Sequence, residues 1–261
     1  MRYLTIDTTT KVTALALAED ACLVGEGFLH TAKTHSERLI PMLEQLLTAA
    51  SWQLTDLDLI GVVRGPGSFT GIRIGIATAQ GLAQVLQIPV LGVLSLDALA
   101  YAGFGLEGAI VPILDARKNE WYTARYSWDR NVRDPVCLVL PKAITPSDWI
   151  AELASLQERI IFVGDAAPKA EAYLRQELGD RALVLPSYEG LPRGAYAAQA
   201  VWRRWQECQA GEIVVPYYIR LSEAEVTWAK KDEARKDEAR KDEVRKDEVQ
   251  KHKARRRDSN G

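Results

Sequence analysis

Three apolar stretches open the chain, "RYLTIDTT" (2–9), "VTALALAED" (12–20) and "CLVGEGFLH" (22–30), separated by the polar breaks "TTTK" and "EDA". Short aliphatic and β-branched runs between polar breaks predict three antiparallel strands. The period then changes. In "THSERLIPMLEQLLTAA" (34–50) the apolar residues Leu39, Met42, Leu43, Leu46 and Leu47 recur at helical spacing, which predicts an amphipathic helix. Ser36 is placed to cap it, and Glu37 sits favourably at the positive end of the helix dipole. "LDLIGVVRG" (57–65) reads as a buried strand, "FTGIRIGIATAQGLAQVLQ" (69–87) as a second helix and "PVLGVLS" (89–95) as the next strand.

A second round follows. "GAIVPILDAR", "EWYTARYSW" and "PVCLVL" predict strands, "PSDWIAELASL" a helix, and "RIIFVGD" a strand. Helices are then expected over "APKAEAYLRQEL" and "AYAAQAVWRRWQEC". Strand clusters alternating with helices imply an α/β protein of two lobes in tandem, each ribonuclease-H-like. The expected units are a first lobe over 1–100, a second over 101–229 and a tail over 230–261.

Composition narrows the classes. A chain of 261 residues with 47% hydrophobic content can bury a substantial core. No apolar run approaches the roughly 20 residues a membrane helix needs, and the first residues do not form a secretory leader. Cys22, Cys137 and Cys208 lie far apart with no zinc-like spacing, which points to reduced thiols and a cytoplasmic location. With only His30, His35 and His252, a histidine-rich metal site is excluded, and no metal is expected.

The net charge of −2 conceals an asymmetry. Residues 230–261 hold 13 of the 33 basic and 9 of the 35 acidic side chains, so the tail carries +4 and the rest −6. An acidic body is a poor surface for RNA by itself, because phosphate contacts supply most nonspecific affinity. The tail repeats a pentapeptide, "KDEAR KDEAR KDEVR KDEVQ", with too few apolar residues to offset the entropy of ordering. Its charges recur at helical spacing, so a solvated helix and a coil are both compatible with it. It reads as a repeat without a site, with an RNA-touching basic end as the alternative.

The segment "RGPGSFTGIRIG" (64–75) holds the densest candidate chemistry, since glycine turns before helices often cradle phosphate. Its details fit no general signature. A Walker loop needs a closing lysine and hydroxyl, which are missing. The spacing of Gly65, Gly67 and Gly71 misses the dinucleotide fingerprint, and Ser68 lacks the glycine two residues later that a nucleophile elbow requires. What remains is a sharp turn made by Gly65, Pro66, Gly67, Ser68 and Gly71. A helix of small residues follows it, which permits close backbone approach.

These stretches together carry a resemblance. "IDTTT", "HSERLIPML", "RGPGSFTGIRIGIATAQGLA", "IPVLGVLSLDALA" and "PYYIRLSEAE" resemble the bacterial TsaB family in consistent order, from Met1 to about Lys230. The resemblance implies two lobes of the actin-like ATPase superfamily. It also implies work in tRNA threonylcarbamoyladenosine synthesis beside the catalytic paralogue TsaD and the ATPase TsaE. There a threonylcarbamoyl group, supplied as an adenylate, reaches the adenosine next to the anticodon of tRNAs reading codons that begin with A.

Three departures from the catalytic paralogue imply a lost active site and no cofactor in this chain. The first phosphate turn is Asp7, Thr8, Thr9 and Thr10, where β-branched side chains replace the usual glycine. Ser95, Leu96, Asp97, Ala98 and Leu99 stand where that paralogue offers two histidines to a metal. The adenosine-side loop reads "VGDAAP" (163–168) without paired glycines. Asp7 then satisfies a strand-end turn or remains a phosphate-site carboxylate. His35 with Glu37 opens a helix or forms a residual metal pair. Arg64 and Arg73 are expected in salt bridges at the turn, with RNA or a partner's acid as the alternative.

The expected partner surface comprises Leu39, Met42, Leu43 and Leu46 on one helix, with Ile74, Thr78 and Leu82 on the next, forming a four-helix seam. On this expectation Met42→Glu or Leu46→Glu leaves the fold intact. A vacant face of that kind can pair two copies of the chain when it is alone. A metal-dependent peptidase and an ATP-dependent small-molecule kinase of the same superfamily are the alternative activities.

Overall fold

The computed structural model describes residues 1–31, 34–129 and 134–220; the expected tail over 230–261 lies outside them. The first three runs are strands as expected: β1 (Arg2–Asp7), β2 (Val12–Glu19) and β3 (Cys22–His30). Each pairs antiparallel with the next. After α1 (His35–Ala50) come β4 (Leu59–Val63), α2 (Phe69–Leu86) and β5 (Val90–Val93). Strands β4 and β5 join parallel, which gives the sheet order β3-β2-β1-β4-β5.

The second sheet repeats this plan. Strands β6 (Ala109–Asp115), β7 (Trp121–Asp129) and β8 (Asp134–Ile144) are antiparallel. After α4 (Pro146–Ala154) comes β9 (Ile160–Val163), and after α5 (Ala167–Leu178) comes β10 (Ala182–Val184); both strands add parallel. The order β10-β9-β6-β7-β8 is the first sheet's order read from the other edge. The two sheets are the tandem ribonuclease-H-like lobes expected from the pattern.

Alternation along the strands sorts side chains to two faces. Leu4, Ile6, Leu15, Leu17, Ile60 and Val62 meet α1 and α2 in one core. Tyr3, Ala16, Leu59 and Val63 point the other way, onto Ala197, Ala200 and Val201 of α7 (Gly194–Cys208), which follows the one-turn α6 (Ser187–Gly190). Close approach of α7 depends on Gly61, where an added Cβ would stand 2.4 Å from a Val201 methyl.

Two helices cross between halves. Helix α7 comes from the second half of the sequence and covers the first sheet. The short α3 (Ser95–Ala100) comes from the first half and packs Leu96 and Leu99 onto Ile110, Leu114 and Ile161 of the second sheet. Residues Met1–Ile219 accordingly form one compact unit.

One local expectation is corrected. Ser36 is not the N-cap of α1; Thr34 holds that position, and its hydroxyl meets that of Ser36 at 3.2 Å. The helix begins two residues earlier than a Ser36 cap implies, and its first residue, His35, is tied to the neighbouring hairpin from both sides of its ring. Its Nδ1 lies 2.8 Å from Thr13 Oγ1 and its Nε2 2.9 Å from Thr10 O.

Candidate functional site

The turn after β1 and the glycine turn after β4 fill each other. Asp7 is buried, and its Oδ1 accepts from the backbone N–H of Thr9 at 2.8 Å and from the Thr9 hydroxyl at 2.7 Å. Burial pushes the Asp7 carboxyl up from its ordinary value, while the two Thr9 hydrogen bonds oppose the shift. Thr10 Oγ1 accepts from Val12 N at 3.1 Å, which closes the turn. Thr8 and Thr9 are both fully buried.

The glycine turn packs directly against this hairpin. Ser68 N donates to Thr9 O at 2.6 Å, and Thr8 Oγ1 donates to Gly71 O at 2.7 Å. A Cβ on Gly67 would stand 2.2 Å from Thr9 O, and one on Gly71 2.0 Å from Thr8 O. The glycines therefore admit the chain's own backbone at the place where a phosphate-binding loop admits its ligand. Ser68 caps α2 by accepting from Gly71 N at 3.3 Å. Pro66, after a cis peptide bond, presents its carbonyl to Ser95 Oγ at 2.5 Å.

The other candidate positions are equally engaged. Thr10 O can only accept, so His35 carries its proton on Nε2 and receives the Thr13 hydroxyl on Nδ1. Desolvation lowers the His35 pKa, which favours this neutral form. Asp97 lies on α3 and accepts from the Tyr126 hydroxyl at 2.6 Å, and burial raises its pKa. Gly164 has φ 106 and donates its N–H to Gly190 O at 2.6 Å, which pins the 163–168 loop to its own lobe. Among the described residues, no group of three or more His, Cys, Asp or Glu could hold a metal.

Arg64 and Arg73 meet aromatic rings and not the acids expected for them. Arg73 lies 3.7 Å from the Phe69 ring centre and donates to the Tyr218 hydroxyl at 2.9 Å. Arg64 lies 5.8 Å from the Tyr217 ring centre. Among the described residues neither forms an ion pair. The segment after α7 returns along the first sheet, where Tyr217 N donates to Arg64 O at 2.8 Å, and brings these tyrosines to the cations.

The expected partner residues divide by burial. Leu39, Leu43 and Met42 are 1%, 2% and 8% exposed and belong to the core. Leu46, Ile74 and Leu82 are half-buried against the same core, and Thr78 is half-buried beside them. The helical stripe therefore faces the chain's own sheet, so a charge at Met42 would enter the core. The outward apolar residues are others: Ile40 on α1, Ala77, Gly81 and Val85 on α2, and Leu23, Val24, Phe28 and Leu29 on the edge strand β3. Gly81 differs from the glycines of the turn, because a Cβ there would have nothing within 4 Å.

Comparison with known proteins agrees with this duplicated plan. The family model for TsaD, the tRNA N6-adenosine threonylcarbamoyltransferase, matches residues 29–228. The tRNA threonylcarbamoyladenosine biosynthesis protein TsaB of Bacillus subtilis is 31% identical over 235 residues, which is 89% of this chain and all of that protein. The chain belongs to the TsaB family. The Escherichia coli TsaB is 41% identical over 133 residues, covering 50% of this chain and 57% of that one. Among solved structures, YeaZ from Pseudomonas aeruginosa superposes with a TM-score of 0.68 at 26% identity, covering 83% of this chain and 99% of the other. TsaB membership joins the chain to the tRNA threonylcarbamoyladenosine pathway and to a TsaD-related family. No helix among the described residues is long and apolar enough to cross a membrane.

Sequence reasoning missed the outward patch. Strand β3 reads "CLVGEGFLH", whose apolar residues fall in adjacent pairs, so its pattern does not distinguish a covered face from an open one.

Proposed function

We propose that the chain is a non-catalytic subunit that binds and supports TsaD, so that TsaD transfers threonylcarbamoyl to tRNA. The filled N-terminus of α2 carries this reading. Ser68 N is spent on Thr9 O, and the turn glycines lie against the carbonyls of Thr8 and Thr9, where a catalytic relative would admit phosphate. A small-molecule kinase would need that space. A metallopeptidase using His35 would need a ring nitrogen, and both are engaged.

The docking face of this reading runs over the outward side of α1 and α2. Ile40 is 42% exposed, and the open position at Gly81 lets another backbone approach closely. Leu39, Met42 and Leu43 shape that face from beneath, while Leu46, Ile74, Thr78 and Leu82 line its edge. TsaE and tRNA join through the complex with TsaD. Without TsaD, the same face pairs two copies of the chain by two-fold symmetry. The free, exposed cysteines fit a cytoplasmic location.

The test is reconstitution. The purified chain with threonylcarbamoyl-adenylate and tRNA should give no modified base until TsaD is added. Ile40→Glu and Ala77→Glu should stay folded, with circular dichroism and melting near wild type, yet bind TsaD at least about tenfold more weakly. Modification by the chain alone, or undiminished binding of both variants, would overturn the reading.

A further inference from the structure

Among the described residues, the buried cation Arg38 has no counter-charge paired with it. It sits in the first turns of α1, is 6% exposed, and is held at one corner where Nη2 donates to Thr31 O at 3.0 Å. Among the described residues its Nε and Nη1 have no hydrogen-bond partner and no acid pairs with it. A buried guanidinium normally satisfies its donors, because an unpaired charge away from water is costly. This one instead lines a groove of about 480 Å³ between β3 and α1, whose apolar walls include Leu29, Pro41 and Met42. The groove runs along the β3 side of α1, the helix whose exposed surface is assigned above to a protein partner.

We propose that Arg38 is the ion-pair anchor of that face and receives a carboxylate from an aspartate or glutamate of the docked protein. The inference rests on the reading of this face as the TsaD-binding surface and adds the chemistry its partner must present. An acid flanked by apolar side chains complements both the free donors and the walls. An RNA phosphate fits less well. Nucleic acid is held by several cations together, whereas this groove offers a single cation with the acidic Glu37 also in its lining.

Arg38→Met separates a binding role from a structural one, because the two predict opposite signs. The substitution removes an unpaired buried charge from the free chain and keeps an apolar stem. The isolated variant should therefore melt at or above the wild-type temperature while its affinity for TsaD falls at least about thirtyfold. Arg38→Lys, which keeps charge without the planar donors, should fall between. A second arm needs no partner. Melting in sodium acetate against sodium chloride at matched ionic strength should show a stabilising increment in wild type that Arg38→Met lacks.

Equal acetate increments in the two proteins would overturn the carboxylate site whether or not TsaD binds. Unchanged TsaD affinity of Arg38→Met, or a loss confined to tRNA retention or to self-association, would overturn the anchor. Failure of wild-type chain to bind TsaD at all would instead remove the docking reading, with the acetate arm still deciding whether the groove takes a carboxylate.

Discussion

The two sheets share a strand order but close their central junctions differently. In the first, the hairpin turn after β1 meets the turn into α2, and the backbones interlock through Ser68 N on Thr9 O and Thr8 Oγ1 on Gly71 O. In the second, the turn after β6 stands opposite the turn into α5, and the link is lighter. Asp165 Oδ1 accepts from Asp115 N at 3.1 Å. Arg117, Lys118 and Asn119 stay exposed, all with positive φ. A cavity of about 490 Å³ lined by Asp115, Asn119, Trp121, Lys169 and Tyr173 remains between hairpin and helix. Topology brings a hairpin to a helix N-terminus in both lobes. Buried threonines fill the first junction, whereas the long side chains of the second turn stay exposed.

Gly71→Ala breaks the closed junction with the largest expected effect. The new methyl would stand 2.0 Å from a backbone carbonyl, which cannot swing aside as a side-chain end can. Overpacking of this kind costs about 3 kcal/mol, or roughly 6–12 °C of melting temperature in a unit of this size. Melting within a degree of wild type would show that the two turns are not interlocked.

Asp7→Asn tests the same junction through its charge, with Asp115→Asn as the counterpart in the open lobe. The Asp7 carboxyl is raised by burial, so the unfolded chain gives up this proton at a lower pH than the folded one. The Asp7 contribution is thus greatest below the unfolded carboxylate value of about 3.9. It is lost as pH rises through the folded value. Asp7→Asn should flatten that fall in melting temperature while keeping an oxygen for Thr9. The Asp115 side chain is 53% exposed, and its substitution should change stability by no more than about 0.5 kcal/mol. A steeper pH dependence in Asp7→Asn than in wild type would contradict the assignment.

Much of this architecture was legible from residue spacing. The alternation of "RYLTID" and "VTALALAE" and the helical period of 34–50 fix their elements locally, so β3 and α5 begin and end where the pattern places them. The exchange of α3 and α7 was not legible, because an amphipathic stripe states that a face is buried without naming the sheet that buries it. The same limit applies to the helical stripe expected at a partner face. Leu39, Met42 and Leu43 recur as a core stripe must, and the outward patch lies on residues the period leaves out, such as Ile40 and Val85. Nor does any pattern mark Arg38, whose significance lies in the partners that its burial leaves missing. The glycine turn was legible as a structural bend, while its contact with Thr8 and Thr9, 63 residues away in the Thr8–Gly71 pair, required the fold.

Arg117→Gly carries the smallest expected effect and the opposite sign to Gly71→Ala. Arg117 adopts φ 60, a left-handed conformation in which the Cβ crowds the following carbonyl at a cost of about 1–2 kcal/mol. The anchoring bond of this turn is made by its backbone, since Arg117 N donates to Asp115 Oδ1 at 2.8 Å, so glycine can keep it. Glycine also loosens the unfolded chain, which takes back about 0.4–1 kcal/mol. The net gain should be about 0.5 kcal/mol, near 1–2 °C in melting temperature. In the interlocked turn a Cβ is what the structure cannot accept, whereas in the open turn removing one should help. A fall in melting temperature for Arg117→Gly would mean that the arginine side chain holds the second junction, and that both lobes are closed, each by its own contacts.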